Sequence, residues 1–278
     1  MEPNAPPLSD EIISEKDRYS VPWDGFDVVV LFILWISLTI ACLHGVLLLS
    51  GSGNVEAPSP RTVTDKHPLT QLLEQGRKQP VILLVAFLCA VILTPMTEEF
   101  LFRLVFQGWL QKKTASLWNV PSEKNAKYLP GGLSVFGVSL VFAAMHGGQR
   151  SEHSVEVLFY GISGLAIANL LTLCIGVSYL AITRRASRRE LGFSSNHLTF
   201  DLLLGCGTFI LCGPAILFLN MLLRSAFPEN ATDPIPLFLF SIALGCLYFK
   251  TRRLLPSIVM HACLNGFSFF ALIWGTAS

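Results

Sequence analysis

Residues 81–110 read VILLVAFLCAVILTPMTEEFLFRLVFQGWL, an apolar run interrupted in its middle by Thr97, Glu98 and Glu99 and then by Arg103. At ~1.5 Å per residue it makes roughly 45 Å of helix, more than the ~30 Å hydrocarbon core of a bilayer. Such a helix must tilt, emerge or break, and Pro95, which has no N–H to donate, supplies the place for a kink. Ionisable side chains at membrane depth are costly, so those that occur there line a cavity or carry function. This one stretch therefore says both where the protein lives and where its chemistry is to be sought.

The rest of the chain has the same character. Of 278 residues 52% are hydrophobic and 14% charged, and the mean hydropathy is +0.55. A soluble domain carries nearer a quarter charged residues. Further spans are predicted at 26–49, 133–148, 155–182, 202–223, 235–249 and 254–274. The expected fold is an all-α polytopic integral membrane bundle of about seven transmembrane helices, six to eight by the awkward lengths of three of them. Residues 1–25 form a polar N-terminal tail ending near Trp23, placed at the lipid interface. Residues 26–274 form a single transmembrane domain. The tail has neither the basic start nor the short apolar core of a cleaved signal peptide, so the first span is expected to be retained. The seven cysteines all fall in apolar stretches without C-x-x-C spacing and read as small buried hydrophobes.

Net charge is +1, so basic residues matter by position. Arg184, Arg185, Arg188 and Arg189, the pair Lys112 and Lys113, and Lys250 with Arg252 and Arg253 all become cytoplasmic if the N-terminus is inside. PENATDP at 228–234 then faces out, as does the C-terminus, with Arg77, Lys78 and Arg224 opposing weakly. The arginine cluster after a long span reads as a topology determinant or lipid-phosphate contact, not as a nucleic-acid patch. Nothing supports a nucleotide, since no Gly-rich phosphate loop follows a strand pattern.

Glu98 and Glu99 point ~100° apart on a helix, so one can face a cavity while the other is held elsewhere. Glu99 and Arg103 are four apart and share a face, which allows a desolvated ion pair. Glu98 is then the freer carboxylate, suited to a general base. His261 and Asn265 are also four apart, and His146 ends another apolar run. Together with Glu98 they suit either of two roles: holding a divalent metal such as zinc through Glu98, His146, His261 and Asn265, or polarising a water and stabilising an oxyanion. The competing reading is structural, Glu-Arg as a clamp and His-Asn as interhelical hydrogen-bonding glue.

Three strings in order, TEEFLFRLVFQGWL, FAAMH and HACLN, carry Glu-Glu-x-x-x-Arg, Phe-x-x-x-His and His-x-x-x-Asn. In these the chain resembles the CPBP family of intramembrane proteases, the group that includes the type II CAAX prenyl endopeptidase and related bacterial immunity proteins. The resemblance is strong over 67–148 and 235–270. It implies an all-helical fold, a catalytic pocket open toward the cytoplasm, and an endopeptidase acting on a peptide or lipidated protein. It also implies that Glu98 activates water with Glu99 and Arg103 in support, that His146, His261 and Asn265 complete the water or metal site, and that Phe142 packs beneath His146. Residues 151–231 separate His146 from His261 further than the family pattern does and read as an inserted or rearranged segment.

The expected function is hydrolysis of a peptide bond, near the C-terminus of a prenylated or otherwise apolar substrate, in the multi-pass plasma membrane of a bacterium, with lipids as the remaining partner. The alternatives are a non-catalytic scaffold or immunity protein of the same fold, which would be favoured by His146 and His261 lying too far apart to act on one water, and a proton-coupled transporter, which predicts internal repeats that are not found. Asn169 and Asn220 read as packing or interfacial residues.

Overall fold

The computed structural model describes residues 21–49, 80–117, 129–146, 155–193, 197–226 and 234–275. Among these the fold is an all-helical, multi-pass bundle without a strand. Its helices are α1 (Gly25–Leu49), α2 (Pro80–Leu117), α3 (Leu129–Met145), α4 (Val155–Thr183), α5 (Leu198–Ala226), α6 (Pro234–Thr251) and α7 (Leu254–Gly275). Six of them are long and apolar enough to cross a bilayer, and α3 is shorter. The polar tail up to residue 20, the connection at 50–79 and the turn at 228–233 lie outside the described residues.

Pro95 does not break α2. The helix widens just before it into a π-helical turn, Leu88–Leu93, in which the Thr94 N–H bonds to the Cys89 carbonyl five residues back. A proline removes one i→i−4 bond, and shifting to i→i−5 lets the ladder pass the gap. A second π-helical segment, Glu99–Gln107, follows, and all of its side chains but Phe106 are buried. This makes α2 the central post of the bundle.

The other helices pack around that post in pairs: α1 on α4, α3 on α6, α5 on α7. Lipid tails are as apolar as leucine, so such pairs are held by close van der Waals fit, which small residues permit. A Cβ added at Gly164 would lie 3.0 Å from the Cys42 carbonyl oxygen of α1, and one at Gly205 would lie 2.6 Å from the Pro256 carbonyl oxygen of α7. The segment 151–231 thus supplies two flanking helices, α4 beside α1 and α5 beside α7, without separating α7 from α2 and α3.

One end of the bundle is tied together by polar contacts. Arg184, just past α4, pairs with Asp24 and with the fully buried Asp27 of α1, which also accepts the Tyr179 hydroxyl. Arg252 donates to Gln111 of α2, and the turn after α4 meets α7 where the Leu254 N–H bonds to the Gly192 carbonyl. Trp23 corrects an expectation. Rather than lying at the lipid interface, its indole is fully buried against α2 and donates to the Val105 carbonyl, while Lys112 donates to the Val21 and Trp23 carbonyls. The cysteines are all free. Cys89 is buried, but Cys174, Cys206 and Cys246 lie on exposed helix faces, so burial among other residues is not their common feature.

Candidate active site

The site is built on the junction between the α-helical turn Thr94–Glu98 and the π-helical segment that follows it. Glu98 and Glu99 leave the post in different directions. Glu99 is fully buried, with Arg103 Nε 3.3 Å from one of its oxygens and His261 Nδ1 3.0 Å from the other. The approach of Arg103 is too oblique for a hydrogen bond at that oxygen, so charge holds the pair. Arg103 Nη2 instead donates to Ser241 of α6 at 2.6 Å, and its guanidinium lies over the Phe142 ring.

Glu98 faces two imidazoles. His146 Nε2 is 3.4 Å from its Oε1, and His261 Nε2 is 3.7 Å from its Oε2. The two histidines are far apart in sequence, yet both sit on one carboxylate, so the wide separation that would favour a scaffold does not occur. Aromatic rings fix their planes. Phe142 stacks on His146 with centroids 4.3 Å apart, and Phe240 meets His261 edge-on at 5.2 Å. Phe102 in turn wedges against Phe142 and against Phe32 of α1, which ties the position of His146 to the core.

The partners of the two Nδ1 atoms assign them as the protonated nitrogens of neutral rings. His261 Nδ1 faces a carboxylate and His146 Nδ1 faces the Phe142 carbonyl at 2.7 Å, both of which can only accept. Each Nδ1 is therefore a donor, and in neutral rings each Nε2 presents a lone pair to Glu98, itself an acceptor. Three acceptors meeting without a donor are stable only around something positive or proton-bearing: a water, a shared proton or a cation. Among the described residues no group of three or more His, Cys, Asp or Glu side chains is arranged as a metal cluster. The chemistry of the donor set nevertheless fits one, since each Nδ1 already makes the kind of hydrogen bond that orients a ligating imidazole in metal sites.

Asn265 turns its amide nitrogen to the Ala90 carbonyl at 2.8 Å, which leaves its oxygen toward a cavity of about 250 Å³ lined by His146, Asn220, Pro236, Leu237, Ser268 and other residues. Water-sized space thus reaches His146, whose side chain is 31% exposed, whereas Glu98 behind it is 7% exposed.

Three residues at the site were not singled out by sequence. Ser241 and Phe240 sit in an apolar run and carry no motif. Asn220, read as packing, has a buried side-chain oxygen without a partner in the cavity wall. Asn169 is a packing residue: its amide donates to Thr94 and its carbonyl accepts from Thr97, joining α4 to α2.

A profile of the family described as type II CAAX prenyl endopeptidase Rce1-like matches residues 80–267, from the start of α2 into α7 and through the whole of 151–231. Comparison with curated proteins and with solved structures finds no match.

Proposed function

The chain belongs to the type II CAAX prenyl endopeptidase Rce1-like family of intramembrane proteases, and from that premise we propose that it is a membrane-embedded endopeptidase in which Glu98 is the general base. The observation that carries this reading is the convergence of His146 and His261 on the Glu98 carboxylate, with His146 also lining a water-sized cavity.

Water entering between Glu98 and the two Nε2 atoms supplies the missing hydrogen-bond donors. Glu98 takes one proton, and the hydroxide attacks the carbonyl carbon of a peptide bound in the cavity. The tetrahedral oxyanion is stabilised by the Nε2–H of an imidazole that enters the cycle protonated and keeps that proton throughout, with Glu99 holding His261 as the buried acid of a triad holds its histidine. Protonated Glu98 then gives its proton to the leaving amine as the C–N bond breaks, which restores the carboxylate. Arg103 is a positioning residue: it neutralises Glu99, so that Glu99 can accept from His261 without leaving a lone negative charge in the membrane interior. A divalent metal such as zinc, when bound, would be held by Glu98, His146 and His261, with the Asn265 oxygen nearby, and would act as a Lewis acid toward water and carbonyl.

The site suits a peptide or lipidated protein with an apolar end, because the groove beside the cavity is apolar. Phe209, Ile210, Pro214, Leu217, Phe218, Met221 and Phe267 line it, and Leu217 belongs to both. The test uses detergent-purified chain and a fluorogenic prenylated peptide, with bound metal counted in the same samples. Hydrolysis by the native protein that is lost in Glu98→Gln at unchanged melting temperature supports the reading, and the metal count separates a metalloprotease from a glutamate protease. Equal turnover by both proteins overturns Glu98 as the base, and none by either favours a non-catalytic membrane protein of the same fold.

A further inference from the structure

We propose that Cys206 of α5 and Cys263 of α7 form a redox site, a pair of thiols that an organic hydroperoxide dissolved in the membrane oxidises to a disulfide, tethering α5 to α7 along the wall of the cavity. The pair lies outside the Glu98 site and stands whether or not the chain hydrolyses peptides.

Of the seven cysteines, these two are set apart by what they touch. Their sulfurs are 3.9 Å apart, and among the described residues no other two thiols meet. Both helices are long and apolar enough to span a bilayer. Cys206 is exposed on its helix and Cys263 is half-buried, so the pair borders the lipid tails. The role that serves Cys89, a small apolar side chain filling a buried gap, gives no reason for a thiol at Cys206. Nor does the S–H···S contact hold the helices together, since a thiol is a weak donor and a weak acceptor.

Other contacts hold them in register, and they lie on both sides of the pair. At the basic end of the bundle Arg253, beside the start of α7, pairs with the buried Asp201 of α5 at 2.9 Å. One turn further, the two backbones nearly touch where Gly205 meets the Pro256 carbonyl. Beyond the cysteines, Phe209 meets Phe267 with ring centroids 6.4 Å apart. The thiols are thus brought together by the packing of two helices that run side by side in the same direction. A disulfide bond is ~2.05 Å long, so the sulfurs must approach by roughly 2 Å. Each side chain has one rotatable bond, χ1, with which to do so.

The tether would act where the site is lined. Cys263 stands between His261 and Asn265 in α7, beside Leu264, and α5 contributes Ile216, Leu217 and Asn220 to the same cavity. A covalent link across the α5–α7 seam fixes the spacing of that wall.

The chemistry balances with one hydroperoxide. The more exposed Cys206 sulfur attacks the O–O bond, which breaks; the alcohol leaves with the thiol proton and Cys206 becomes a sulfenic acid. The Cys263 sulfur attacks that sulfenic sulfur, the S–O bond breaks, and water leaves with the second proton. Two thiols lose two electrons, and the peroxide is reduced to alcohol and water. Cys174 and Cys246 are also exposed, but with no thiol in contact among the described residues they have no such route within the fold.

The test uses the full chain in phosphatidylcholine vesicles, first reduced with dithiothreitol and freed of it, then treated with cumene hydroperoxide. Free thiols are blocked with N-ethylmaleimide under denaturing conditions before digestion and mass spectrometry. The expected result is a linked peptide pair containing Cys206 and Cys263, released by dithiothreitol and missing from Cys206→Ser and from Cys263→Ser. The linked chain should also melt at a higher temperature than the reduced one. The proposal is overturned if both cysteines are recovered unlinked, whether as maleimide adducts or as sulfinic and sulfonic acids. A link between other cysteines in place of this one, or one that joins two chains, overturns it as well. Linkage without a rise in melting temperature overturns the tether. Because the native chain carries the readout, a serine variant that fails to fold does not decide the result.

Discussion

The two halves of α2 are both polar and differ in what their polarity is for. On the side of the basic end, Arg103, Gln107 and Gln111 are fully buried and joined to α6 and the turn after it. At Glu98 two imidazoles converge on one carboxylate, and one of them, His146, lines a cavity. A buried polar group with a complementary partner holds helices together in a membrane; one without a complementary partner but with access to water is placed for chemistry. Polarity at membrane depth alone does not tell the two apart.

The comparison breaks first at Glu98. Glu98→Gln keeps the size of the side chain and removes the base, so hydrolysis of the prenylated peptide should fall by about a hundred- to ten-thousand-fold. Its melting temperature in detergent should stay near that of the native chain; full retention of turnover would move the chemistry elsewhere. Arg103→Met attacks the sealed half. It leaves Glu99 buried without its cation, an uncompensated charge that costs roughly 3–5 kcal/mol. Unfolding in denaturant should show that loss, and adding Glu99→Gln should recover part of it; additive losses would mean that the pair is not coupled.

Smaller changes sharpen the contrast. Asn220→Ala removes one hydrogen-bond acceptor from the cavity wall, worth ~1 kcal/mol or about fivefold in binding. Steady-state kinetics should show KM raised by that factor, kcat unchanged and stability unaffected; an unchanged KM would return Asn220 to packing. Phe200→Leu loosens the contact with Arg253 at the basic end, 5.5 Å from ring centre to guanidinium. It should cost about 0.5–1 kcal/mol in a melting experiment and leave hydrolysis as it was.

Much of this was legible before any coordinates. Long apolar runs report spans directly, because a helix must hide its backbone from lipid over a set length, and the predicted spans coincide closely with α1 to α7. The pairing of Glu99 with Arg103 followed from a spacing of four. The π-helical turns around Pro95 left no mark in composition, since they arise from how one missing N–H is accommodated. Trp23 was misplaced because an amphipathic ring near a span looks interfacial until the surface it packs against is known. Ser241 and Asn220 were passed over for the same reason: a single polar residue in an apolar run acquires a role only from what faces it.

The amino-acid order by itself thus determined that the chain is a bundle of membrane helices, which end is basic, and which few ionisable groups lie at depth, since these depend on local hydrophobicity and spacing. Tertiary structure decided which of those groups meet. His146 and His261 reach one carboxylate although α4, α5 and α6 intervene, because α4 and α5 pack on the flanks of the post. It also decided which residues line the cavity, because access depends on the packing of helices that are distant in sequence.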